Sequence, residues 1–115
     1  MRVRTIYVQF QPERTRLSSK AVARLMCDVA VIPSVHSFTW NRRKGYVNFF
    51  FASSDVHATW TRLRATALMH SVIGRRLRDS TIIVAEGSHG WEDYLLLHHF
   101  DSRQPLDRLG KSSKK

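Results

Sequence analysis

Acid is scarce in this chain. Nine Asp+Glu stand against 19 Lys+Arg, a formal net charge of +10 at pH 7. Such an excess on a small domain points to a polyanion partner, either nucleic acid or an anionic surface. The alternative is a solubilising surface without a ligand, because net charge says nothing about fold or specificity. Cysteine is nearly missing too. One thiol, Cys27, excludes an intrachain disulfide. It falls among Val22, Leu25, Met26 and Val29, so a buried structural thiol is expected rather than a nucleophile. No apolar run reaches the roughly 18 residues of a membrane span, and no membrane partner is expected. The first residues read directly as a strand, so no signal peptide is expected. The compartment is open at this point, with an intracellular setting (nucleus, cytoplasm or an organelle) the expectation.

Other chemistries lack their residues as well. Five scattered glycines form no phosphate-cradling loop. Six histidines come without a Cys/His ligand set or the acidic helix partner of a zinc protease, so no metal is expected. Glu92 and Asp93 are adjacent, and their side chains diverge in a strand or a helix, which makes a poor acid/base pair. Neither an enzyme nor a cofactor is expected.

What is present reads as one folded domain. The 115 residues are 43% apolar and 24% charged. A chain of this size can bury a core without staples. Residues 3–10 are rich in β-branched and aromatic types and predict a first strand. A serine at 18 or 19 can cap a helix over about 18–30, with Val22, Leu25, Met26 and Val29 as its apolar stripe. A second strand is expected over 35–41 and a basic turn over 41–45. A third, very apolar strand follows over 46–52. A second helix is expected over about 54–69, with Val56, Trp60, Leu63 and Ala67 inward, and a fourth strand over 80–85. The order is βαββαβ. It predicts an α+β, ferredoxin-like sandwich, a four-stranded antiparallel sheet with two helices on one face and a C-terminal extension. Val8, Leu25, Phe49, Phe51 and Leu63 are the expected core. The expected division is a domain over 1–88, an apolar extension over 89–100 packing on it, and a basic, disordered tail over 101–115.

Strand alternation then selects a face. Ile6, Val8, Phe10, Val47, Phe49 and Phe51 are wholly apolar sets that should face the helices. Tyr7, Gln9, Tyr46, Asn48 and Phe50 remain for the other face, with Lys44 beside them and Arg42 and Arg43 in the turn. Aromatic rings among amides and cations suit unstacked bases, which offer a π-face to stack and edges to hydrogen-bond.

These residues resemble the RNA-recognition motif (RRM) family. Ile6-Tyr7-Val8 is similar to the aliphatic–aromatic–aliphatic pattern of that family's first strand. Lys44-Gly45-Tyr46 with the closing Phe51 is similar to its third-strand octapeptide. Val47 departs from the family's small residue, and Asn48 stands where an exposed aromatic is usual. The resemblance spans residues 3–86. It implies that Tyr7 stacks on a base and that Tyr46 packs on a base or sugar. It also implies that Lys44 reaches a phosphate and Asn48 a base edge. Single-stranded RNA is therefore the expected partner, with DNA a further partner through charge. The alternative is an RRM-like module whose sheet is covered by residues 91–100 or used for a protein partner. Tyr7 and Tyr46 would then be structural.

Overall fold

The chain is described here by a computed structural model, which covers residues 2–109. Seven alternating residues open the fold as strand β1 (Arg4–Phe10), with Ile6, Val8 and Phe10 at 0% exposure. Helix α1 (Ser19–Ala30) begins where the Ser18 hydroxyl accepts from the Ala21 backbone N–H at 3.0 Å. Strands β2 (Val35–Arg43) and β3 (Tyr46–Ser53) follow as a hairpin. Its loop is only Lys44 and Gly45, and Gly45 takes φ +89°, a conformation glycine adopts without strain. The expected turn over 41–45 is thus shorter, and Asn41, Arg42 and Arg43 belong to β2.

The second helix departs from its expected extent. Helix α2 (Val56–Leu63), capped by the Asp55 carboxylate, gives way to a π-helical turn over Arg64–Leu68. A short helix α3 (Gly74–Arg78) then leads into strand β4 (Thr81–Gly87).

The sheet is antiparallel with order β2-β3-β1-β4-β5, so the expectation of four strands is corrected to five. The added strand, β5 (Gly90–His99), is the expected apolar extension. It returns through a tight turn in which Gly90 has φ +95°, and it pairs along β4. Leu95 and Leu97 reach the core from there. The alternation of Tyr94, Leu95, Leu96 and Leu97 suits an edge strand, which needs one side for the core and one for the open face. Residues 101–109 turn to the helix side, where Leu109 packs on the core and the Asp107 N–H donates to the Leu96 carbonyl at 2.8 Å. Of the tail expected to be disordered, 101–109 carry these two attachments, and residues 102–108 are exposed. Residues 110–115 lie outside the described residues.

The core lies between the sheet and the helices. Val8, Phe49, Phe51 and Leu63 are fully buried there, with Val22, Met26, Val29 and Leu77. Burying one such side chain contributes about 1.5–3 kcal/mol. Leu25 is only partly buried, at the margin of the α1 stripe. Cys27 is exposed, which corrects the expected buried thiol. At about 100° per residue, position 27 turns away from the Val22, Met26 and Val29 face.

Candidate nucleic-acid interface

The face of the sheet away from the helices is built by the strand register. Arg43 pairs with Tyr46, Asn41 with Asn48 and Thr39 with Phe50 across β2 and β3. Asn48 then pairs with Gln9 and Phe50 with Tyr7 across β3 and β1. Paired residues in a ladder share a face. Tyr7, Gln9, Tyr46, Asn48 and Phe50 therefore come together as their alternation implies, with Arg43 beside them. Tyr7 and Phe50 stack with ring centroids 5.2 Å apart. Tyr7, Gln9, Tyr46 and Phe50 are half-buried, so each keeps a surface that solvent reaches.

Amides and a phenol link into one directed chain over this face. The Gln11 side-chain N–H donates to Gln9 Oε1 at 2.7 Å, and Gln9 Nε2 donates to the Tyr7 hydroxyl at 3.1 Å. The Tyr7 hydroxyl donates to Asn48 Oδ1, and Asn48 Nδ2 donates to Asn41 Oδ1 at 3.0 Å. Asn48 is 7% exposed and its amide is engaged at both ends. It orients Tyr7 and Asn41 and presents little of itself. Burial pushes the Tyr7 phenol pKa up, against the Gln9 hydrogen bond and with help from nearby Tyr46. The phenol stays protonated and remains a donor at neutral pH.

The two ends of this chain are Gln11 and Asn41. Neither stood among the expected site residues. Continuing the alternation two positions past Gln9, and two back from Arg43, finds both.

The three basic residues of the hairpin separate. Arg43 shares the ladder position of Tyr46 on the open face, and Lys44 stands exposed at the loop. Arg42 pairs with buried Val47, so the ladder turns it to the helix side; a hollow at this end of the hairpin is lined by Arg42, Arg43 and Tyr46 together with Glu13 and Ser19. Further along the open face, β4 and β5 contribute Ile82, Val84, Leu96 and His99 through the pairs Ile82–His99 and Val84–Leu96. Apart from His99 this half is aliphatic, and the β1–β3 half is aromatic and amide-rich.

No group of three or more His, Cys, Asp or Glu suited to a metal ion occurs among the described residues. No described helix is long and apolar enough to cross a membrane. In comparisons with known proteins, no family model matches the chain, and neither does any curated protein or solved structure.

Proposed function

We propose that the chain is a single-stranded RNA-binding module of the RRM type, in which β1 to β4 with α1 and α2 form the binding unit and β5 widens its edge. The observation that carries this reading is the open face, where Tyr7, Tyr46 and Phe50 lie on neighbouring strands among Gln9 and Asn41, with Arg43 and Lys44 at one end. Rings stack on bases whatever their sequence, amides bond to base edges, and the cations meet the phosphates. The net charge of +10 favours the encounter. Residues 90–99 pair along the β4 edge and do not lie across this face, which favours RNA over a sheet covered by that segment.

The test is binding of single-stranded RNA, single-stranded DNA and duplex, each titrated across salt. Single-stranded RNA is expected to bind most tightly, with an affinity that falls steeply as salt rises. Equal affinity for duplex and single strands would reduce the reading to charge alone. A second reading, a protein-binding sheet, is favoured by the aliphatic Ile82, Val84 and Leu96 row and by Trp91 and Tyr94, exposed at 47% and 55% on β5.

A further inference from the structure

On the helix side, a groove of about 480 Å³ runs between α2 and the returning segment 101–109. An adjoining hollow of about 450 Å³ shares its wall of Trp60, Arg64, Met69, Asp107 and Arg108. The size is that of a small-molecule site, for which roughly 300–1,000 Å³ is usual. Two features of the backbone build it. The π turn, closed by the Met69 N–H donating to the Arg64 carbonyl at 2.9 Å, interrupts the regular helix at Arg64. Such turns recur at functional sites. Opposite, the returning segment is pinned on both sides of Arg108. Asp107 and Leu96 exchange two hydrogen bonds of 2.8 Å, and Leu109 packs on the core.

The charges in the groove are unbalanced. Neither Arg64 nor Arg108 pairs with a carboxylate among the described residues. The one acid on the wall, Asp107, accepts from the Leu96 N–H. Arg78 borders the second hollow, but its guanidinium donates to the Leu68 carbonyl. Two unpaired guanidinium groups beside a half-buried indole match a phosphate joined to a flat ring.

We infer that this groove is a nucleotide site separate from the sheet face: Arg64 and Arg108 hold a phosphate and Trp60 gives the base a surface to stack on. The phosphate belongs either to a free mononucleotide or to the end of an RNA strand. The experiment is NMR titration of the full chain with adenosine 5′-monophosphate, adenosine and inorganic phosphate, following the Trp60 indole N–H. The monophosphate is expected to shift Trp60 and to bind at least about ten-fold more tightly than adenosine, because charged hydrogen bonds are lost without the phosphate. Inorganic phosphate should bind without moving the indole to the same extent. An R64A/R108A variant should lose monophosphate affinity by at least about ten-fold while melting as wild type, since both side chains are exposed. A matched pair of short RNAs, with and without a 5′-phosphate, separates the two sources. A Trp60 shift seen only with the 5′-phosphorylated strand, at lower concentration than the monophosphate, assigns the strand end. No gain from the strand assigns the free nucleotide. Equal binding of monophosphate and adenosine, or unchanged affinity in R64A/R108A, overturns the groove site. Shifts confined to Tyr7 and Phe50 do the same and leave the sheet-face reading standing.

Discussion

Tyr7 and Tyr46 sit on one face and carry unequal structural duties. Tyr46 has no side-chain partner in the amide chain, whereas Tyr7 stacks on Phe50 and satisfies Asn48. Tyr46→Ala is therefore expected to weaken RNA binding by about 1–3 kcal/mol, the usual worth of a base–aromatic stack, with little change in melting. Tyr7→Ala should lose a similar amount of affinity and also melt earlier, because Asn48 Oδ1 is left buried without its donor, a loss of about 1–3 kcal/mol. Tyr7→Phe separates the two effects by keeping the ring and removing the hydroxyl. Fluorescence titration with RNA beside thermal melts for the three variants measures this. Wild-type affinity in a folded Tyr7→Ala/Tyr46→Ala double variant would end the sheet-face reading. Asn48 acts through its neighbours. Its register between Asn41 and Gln9 makes it the central link of the amide chain.

Among the elements, the β2–β3 hairpin and β5 have distinct roles. Arg43 and Lys44 stand at the open-face end of the hairpin, and Arg42 points to the other side. Each phosphate contact to a single strand adds about 0.7 to the slope of log affinity against log salt, so R43A/K44A should flatten that slope by about 1.4. R42A alone should leave it nearly unchanged. A filter-binding series over several salt concentrations reads both, and equal slopes in all three proteins would remove the hairpin from the interface. Strand β5 is part of the folded core. Leu97, at 5% exposure, should lose about 2–5 kcal/mol on mutation to Ala, seen as an earlier urea midpoint. Its hairpin also needs Gly87, where an added Cβ would stand 2.2 Å from the Asp93 carbonyl oxygen. Removing residues 89–115 is accordingly expected to destabilise the protein without raising RNA affinity, since β5 extends the sheet edge.

At the scale of the whole molecule, β5 and α3 are joined by a histidine whose titration couples the fold to pH. His98 Nε2 lies 2.8 Å from the Arg78 carbonyl, and burial holds the imidazole pKa below its ordinary value, against that hydrogen bond. The unfolded chain therefore takes up the proton first as pH falls below about 6.5. The contribution is fully present above that pH and is lost as pH drops toward the lower folded value. Thermal melts from pH 7.5 to 5 should show this fall in the wild type and a shallower one in His98→Gln. Parallel curves would assign the acid sensitivity to other groups. The two faces of the molecule also divide the charge. Arg43 and Lys44 stand at the open sheet face, and Arg64 and Arg108 line the helix-side groove.

Local patterning along the chain is enough to specify strands β1 to β4, the first helix and the two sheet faces. Those features follow from local periodicity: Ile6, Val8 and Phe10 alternate with Tyr7 and Gln9, and an apolar set can only turn inward. It also marked Tyr7, Tyr46 and Phe50 as face mates, since alternation fixes a face once one register is known. Everything else depends on contacts between segments distant in the chain. Residues 90–99 are apolar enough for a helix, a covering segment or a strand, and only the free edge of β4 selects the strand. The length of β2 had the same origin, because pairing with β3 draws Asn41, Arg42 and Arg43 out of the turn. The engagement of Asn48 required Tyr7 and Asn41 from two other strands. The groove at Arg64 and Arg108, residues far apart in sequence, depends on long-range contacts, the hydrogen bonds at Leu96 and the packing of Leu109, that fold the C-terminal segment back onto α2. No local pattern encodes a contact of that kind.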